Sequence, residues 1–263
     1  MLANQVETVM ALKTGELTGQ VAWVSGAGTG NGEAIAERLL SGGARVALVG
    51  RRLEPLQTLQ RRIDPEGART LALQADVRSI DAIGHTINAT LHRFGALHIA
   101  VNNAGITGPA GVALQNVDVE TWREVMNTDV SGVFYGMKHQ IPAMLQSGGG
   151  VILNLSSANG LVGLAGMAAY TAAKHAVIGL TRSAALELAE QGIRVCAIAP
   201  GYVATSRILA SGPDAVTYMA QQHPMKRLAS PQEIADFAAY LVSPRAAFIT
   251  GSVHSIDGGY TAQ

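Results

Sequence analysis

Six short and nearly continuous apolar runs, at residues 21–25, 45–49, 70–74, 98–102, 150–155 and 193–198, limit what this chain can fold into more than any other feature. A strand with one wet face alternates apolar and polar residues, whereas one that is apolar throughout needs cover on both faces. That is the situation of a parallel sheet between two helical layers. The stretches between the runs, such as 33–40 and 169–190, repeat apolar residues every three or four positions and are rich in Ala, Leu and Glu, as amphipathic helices are. Strand-helix-strand units with right-handed crossovers then predict an α/β fold: a single-domain, doubly wound parallel sheet of the Rossmann type with helices on both faces.

No Pro- or Ser-rich linker divides residues 17–263, so they read as one catalytic domain. Residues 1–16 read as a mobile N-terminal extension, with Met10 an alternative start. Its lack of a basic start and an apolar stretch argues against a secretory signal. Residues 202–229, containing Gly212, Pro213 and Pro224, are irregular and read as a substrate loop or lid. With 19 basic and 19 acidic residues the chain lacks the basic excess of a nucleic-acid binder. No apolar stretch approaches the roughly 18 residues of a membrane span, so no membrane partner and a soluble, cytoplasmic protein are expected. A lone Cys196 excludes an intramolecular disulfide, and the seven histidines lack metal-site spacing, so no metal is expected.

The first run leads into Ser25-Gly26-Ala27-Gly28-Thr29-Gly30-Asn31-Gly32 and then a helical stretch. Glycines let the backbone turn tightly and approach a ligand, while a helix N-terminus offers unpaired N–H groups and positive dipole to phosphate. Asn31 breaks the G-x-G-x-x-G spacing, and what fits is G-x-x-x-G-x-G over Gly26, Gly30 and Gly32. An acid that binds the adenosine ribose usually closes the second strand; here that place reads Val49-Gly50-Arg51-Arg52. Without a carboxylate to repel a 2′-phosphate, and with two guanidinium groups to bind one, NADP(H) is favoured over NAD(H). The alternative is that Arg51 and Arg52 begin a solvated helix.

After the fifth run stands Ser157, and thirteen positions on comes Tyr170, in Tyr170-Thr-Ala-Ala-Lys174. Four positions apart on a helix, Tyr170 and Lys174 share a face, and an ammonium beside a phenol favours phenolate and makes the tyrosine a competent acid or base. With the glycine turn, Asp76-Val77, Asn102-Asn103-Ala104-Gly105, Pro200-Gly201 with Thr205, and Asp257-Gly258-Gly259, these residues make the chain resemble the short-chain dehydrogenase/reductase family, in its classical subgroup, from about Leu17 to Tyr260.

The resemblance implies an oxidoreductase that interconverts a ketone or aldehyde with an alcohol. Tyr170 would pass the proton to and from the carbonyl oxygen, Ser157 would steady that oxygen, and Lys174 would hold the nicotinamide ribose. Asp76, with Val77, would contact the adenine edge. Asn103, Ala104 and Gly105 would line the ribose, and Pro200, Gly201, Val203 and Thr205 would wrap the nicotinamide. A homotetramer, with helices around 121–144 and 169–190 at its interfaces, is implied too.

One position departs from the family pattern: Asp129 stands where Asn is usual, and it is carried here as a candidate catalytic residue. Its backbone carbonyl can keep the family's role of holding a water that links the lysine to solvent. Its carboxylate adds negative charge that opposes phenolate formation. Helix bending without a part in proton transfer is the competing account. Asn31, aliphatic in most relatives, and Ser25, usually Thr, are milder departures. His175, Trp23, Trp122, Met137, Met144 and Met167 read as packing or interface residues, and Cys196 as a small buried hydrophobe. Ile208, Leu209, Tyr218, Met219 and Met225 suggest a partly apolar substrate pocket, with Arg207 and Arg227 nearby. A dinucleotide sensor without turnover has no use for Ser157, Tyr170 and Lys174, and neither does a methyltransferase.

Overall fold

The computed structural model describes residues 15–262. The expected extension falls mostly outside the described residues. Of it, Glu16 is docked rather than loose, its carboxylate 3.8 Å from Arg245, and the adjoining Leu17 is fully buried.

The elements run β1 (Val21–Ser25), α1 (Gly30–Ser41), β2 (Arg45–Gly50), α2 (Leu53–Ile63), β3 (Thr70–Gln74), α3 (Ile80–Phe94) and β4 (Ile99–Asn102). Then come α4 (Val119–Met126), a π-helical turn (Asn127–Ser131), α5 (Gly132–Gln146), β5 (Gly150–Leu155), α6 (Ala168–Leu188) and β6 (Ile193–Pro200). Two short helices, α7 (Ser206–Leu209) and α8 (Pro213–Gln221), occupy the expected loop, and α9 (Pro231–Val242) and β7 (Val253–Ile256) complete the fold.

All seven strands are parallel, in the order β3-β2-β1-β4-β5-β6-β7. Chain direction across the sheet reverses between β1 and β4, and in such sheets the crevice for a ligand opens there, outside the carboxyl ends of the strands.

Successive strand residues feed opposite layers. Ala22, Val24, Leu48, Leu153 and Ile198 pack with α1, α2 and α9. Trp23, Ala47, Ala100, Ile152 and Val195 pack with α3, α5 and α6. This two-sided burial is why the runs are apolar throughout. Trp23 is fully buried, its indole N–H donating to Thr86 at 3.0 Å, whereas Trp122 is 38% exposed. Met137 and Met144 are core residues, Cys196 is buried, and His175 is exposed on α6, against the expectation that it packs.

Below the crevice a set of buried amides ties four elements together. Asn102 on β4 and Gln140 on α5 bond through both of their amide atoms, at 2.8 and 3.2 Å. The Asn102 amide also donates to Asn154 on β5 at 2.8 Å, and Asn154 donates to Thr181 on α6 at 3.0 Å. Asn102 therefore faces the core, while the residues after it face the crevice. None of the helices is long and apolar enough to cross a membrane among the described residues.

Gly136 makes the close approach of α5 to this network possible, because a Cβ there would stand 2.6 Å from the Asn102 oxygen and 3.0 Å from the Gln140 nitrogen. Overpacking plus disrupted buried hydrogen bonds predicts that Gly136→Ala costs about 2 kcal/mol or more. Equilibrium urea unfolding measures it, and an unchanged midpoint would show that the network yields without cost.

Candidate active site

The crevice is built from the ends of strands. A cleft of about 360 Å³ is lined by the glycine turn after β1, by Gly50, Arg51 and Arg52 after β2, by Ala75 and Val77 after β3, and by Asn103, Ala104, Gly105 and Ile106 after β4. Thr128, Thr205, Ser206 and Arg207 line its other side.

The turn is tight because side chains cannot fit. A Cβ at Gly32 would lie 2.2 Å from the Gly26 carbonyl oxygen, and Gly26 and Gly30 take left-handed φ of 65° and 61°. Ser25 braces the floor: its hydroxyl accepts the backbone N–H groups of Asn103 and Ala104 at 3.0 and 3.1 Å. The Asn103 amide in turn donates to the carbonyls of Ser25 and Gly26 at 3.0 and 3.3 Å. Thr29, the N-cap of α1, supplies no side-chain cap. The first-turn N–H groups, which have no partner within a helix, thus remain available beside the cleft. The side-chain oxygen of Asn31 is buried there without a partner among the described residues. An uncapped helix end and a turn too tight for side chains fit the pyrophosphate of a dinucleotide.

Arg51 and Arg52 are both exposed at the rim, Arg52 as the N-cap of α2. Asp76 does not line the cleft. Its carboxylate is chelated by Arg78 through Nε and Nη2 at 3.0 and 2.7 Å, and this guanidinium holds the Asp76 carboxyl below the usual range. Pro200, Gly201 and Val203 also stand outside the cleft lining, at the end of β6 and beyond it, with Val203 bridging to Ala229 just before α9.

Ser157 follows β5, outside the cleft lining, and opens a single 3₁₀ turn, its hydroxyl accepting the N–H of Asn159 at 3.2 Å. That turn seats closely on α6: a Cβ at Gly160 would lie 2.3 Å from Ser156 Oγ, whose hydroxyl donates to the Lys174 carbonyl at 2.9 Å. From α6, Lys174 Nζ lies 5.4 Å from the centroid of the Tyr170 ring.

Lys174 is 4% exposed and Asp129 is completely buried. The ammonium donates to the Leu155 carbonyl at 3.0 Å and is paired with Asp129 Oδ2 at 3.0 Å. Asp129 Oδ1 accepts the backbone N–H of Ile106 at 2.8 Å. Burial pushes the ammonium's pKa down, but Asp129, followed by Tyr170, outweighs it and holds Lys174 above the ordinary lysine value, with Arg207 opposing. Gly105 lies directly over the pair, since a Cβ there would stand 2.8 Å from Asp129 Oδ2 and 3.3 Å from Lys174 Nζ. Asp129 occupies the π-helical turn that interrupts α4–α5, a feature frequent at functional sites. Asp129 thus pairs with the lysine from within a π-helical turn.

Sequence reasoning missed Ser206, Ile106 and Thr128 in the cleft wall and treated Arg207 only as a loop residue. Nothing in their residue types marks them; only the return of the chain after β4 and β6 brings them to one cleft.

The arrangement is that of an oxidoreductase, and the chain belongs to the short-chain dehydrogenase/reductase family. The sequence profile of the family described as Enoyl-(Acyl carrier protein) reductase matches residues 26–261. The chain is 37% identical to cyclohexanol dehydrogenase of Acinetobacter sp. (strain SE19), over 98% of this chain and 100% of that one. It is 40% identical to cis-4-hydroxycyclohexanecarboxylate dehydrogenase of Sinomonas cyclohexanicum, over 92% of this chain and 97% of the relative. With the A-factor type gamma-butyrolactone 1'-reductase (1S-forming) of Streptomyces virginiae it shares 41% identity, over 96% and 99% of the two chains.

Removing one partner of a buried ion pair leaves the other charge uncompensated, which typically costs about 3 to 5 kcal/mol. Lys174→Met and Asp129→Leu are each expected to lose about that much, and the double variant to recover a large part of it. Denaturant unfolding of the four proteins measures the coupling; additive losses would mean that the pair contributes nothing beyond its two members.

Proposed function

We propose that the protein interconverts a cyclic secondary alcohol and its ketone with NADP(H), using Ser157, Tyr170 and Lys174. The observation that carries this reading is the buried Lys174 ammonium, pinned by Asp129 and Leu155 between the Tyr170 ring and the backbone of Gly105 at the cleft wall. Such an anchor keeps a positive charge beside one phenol and leaves that phenol as the proton carrier.

The pyrophosphate would rest on Gly30, Asn31 and Gly32, the adenine side near Val77 and the Asp76–Arg78 pair, and the ribose along Asn103 to Gly105. A bound nicotinamide dinucleotide supplies or accepts the hydride at its ring. In reduction Tyr170 gives its hydroxyl proton to the substrate oxygen while Ser157 donates a hydrogen bond to the same atom; in oxidation Tyr170 takes the proton back. The protein's part is orientation and charge placement. Asp129 keeps Lys174 protonated.

Exposed Arg51 and Arg52, in no ion pair among the described residues, support a 2′-phosphate and hence NADP(H) over NAD(H). The ring-bearing substrates in the names of two relatives, and Tyr202, Leu209, Tyr218 and Met225 on the substrate loop, support a cyclic, largely apolar alcohol. Exposed Trp122, Phe134 and Leu186 on the helices of residues 119–146 and 168–188 support subunit contacts in a homotetramer.

Oxidation of cyclohexanol and substituted cyclohexanols with NADP⁺ and NAD⁺, followed by absorbance, tests the reading. A higher kcat/KM with NADP⁺ is expected, together with a fall of about a hundredfold or more in Tyr170→Phe, the scale of lost general acid–base catalysis. Unchanged turnover in Tyr170→Phe would overturn it. In Asp129→Asn buried Lys174 gives up its proton at lower pH because its counter-ion is gone, so the alkaline limb of the kcat/KM profile for oxidation is expected to move down in pH. Superimposable profiles would exclude Asp129 from the proton path.

A further inference from the structure

The backbone leaving β6 is held from outside the sheet by one side chain with no counterpart in the motifs above. His223, just past α8, is 2% exposed, and its Nε2 accepts the backbone N–H of Tyr202 at 3.1 Å. The fit is close: a Cβ at Gly201 would stand 2.5 Å from that nitrogen. The imidazole meets the Tyr202 ring edge-on at 5.7 Å between centroids and lies 5.9 Å from the Tyr260 ring.

Nε2 can accept only in the neutral imidazole, with the proton on Nδ1. Nδ1 is buried with no partner among the described residues. His223 also lines a cavity of about 70 Å³ together with Tyr202, Arg227, Glu233 and Asp257, roomy enough for a bridging water. An apolar side chain would fill the same space without burying two ring nitrogens, but it would orphan the Tyr202 N–H.

The bond joins two parts of the site. On one side are Gly201 to Val203, which lead to Thr205, whose methyl would be 3.0 Å from a Cβ at Gly30 in the glycine turn. On the other is the substrate loop, whose foot is closed by the Ala229 N–H on the Tyr202 carbonyl at 3.0 Å and the Ala204 N–H on the Ala229 carbonyl at 2.8 Å.

We propose that His223 is a positioning residue for the nicotinamide side of the cleft, fixing residues 201–203 to the substrate loop so that cofactor segment and loop hold one geometry. The proposal rests on the dinucleotide reading above. It requires the acceptor at Nε2, not merely a ring of this size.

His223→Phe keeps the ring and removes both nitrogens, whereas His223→Gln offers a side-chain carbonyl to the Tyr202 N–H. Two readouts apply: hydrogen exchange of the 201–204 amides in the protein without cofactor, and NADPH affinity from the change in nucleotide fluorescence. His223→Phe is expected to exchange at Tyr202 about tenfold faster or more and to bind NADPH about tenfold more weakly, the scale of one lost buried hydrogen bond. The KM for NADPH should rise more than kcat falls, and His223→Gln should recover both readouts to within about threefold.

Wild-type exchange and affinity in His223→Phe would overturn the proposal, as would a His223→Gln protein as impaired as His223→Phe. Should His223→Phe not fold, His223→Gln decides alone: retained protection and affinity uphold the acceptor role, and their loss refutes it. If the wild-type protein bound neither NADPH nor NADH, the dinucleotide reading would fail and the nicotinamide role with it. The exchange data, taken without cofactor, would still report whether the bond itself holds the segment.

Discussion

The ion pair between Lys174 and Asp129 is the interaction on which the rest of the site depends. Two opposite charges are held almost wholly out of water at 3.0 Å, a placement that is costly unless each charge finds further partners. Each does: the ammonium has the Leu155 carbonyl and the carboxylate has the Ile106 N–H. The pair thereby joins the ends of β4 and β5, the π-helical turn and α6. Asp129 holds the lysine above its ordinary value where burial alone would push it down, and that ammonium stands 5.4 Å from the Tyr170 ring.

Around the pair, the protein excludes side chains where backbone must come close. Gly105 over the ion pair, Gly32 under the Gly26 carbonyl and Gly201 against His223 are positions where a methyl group would strike a functional atom. Below them the amides of Asn102, Gln140 and Asn154 hold the carboxyl ends of β4 and β5 to α5 and α6. Polar groups so buried and so fully partnered admit few alternative arrangements. The cleft is therefore lined largely by backbone and short side chains, with Arg51, Arg52 and Arg207 its charged residues.

Much of this was legible in the linear order of residues. Runs at 21–25, 70–74 and 150–155 became strands with those bounds, the first and third because they are buried almost throughout and so nearly continuously apolar. By contrast β7, Val253–Ile256, is short and only partly buried at the sheet edge, so its composition carries no such signal. Tyr170 and Lys174 lie within one helix, so their shared face could be read from their spacing. Asp129 drew notice only by departing from a family pattern, and its pairing with a lysine on another helix could not be read. Asp76 and Asn102 were legible as motif members, but the partners that turn their side chains, Arg78 and Gln140, were not. His223 gave no sign, because its acceptor role exists only once the loop returns to β6.

By itself the sequence determined the features that depend on near neighbours: strand and helix periodicity, the glycine turn that opens α1, and the shared helical face of tyrosine and lysine. Only the tertiary structure decided which distant groups meet: Asp129 beneath Gly105, Gln140 on Asn102, His223 on Tyr202. The physical reason is one of range. Local propensities act over a few residues along the chain, whereas ion pairs and buried hydrogen bonds form between whatever groups the packed sheet and its two helical layers bring within 3 Å or so of each other.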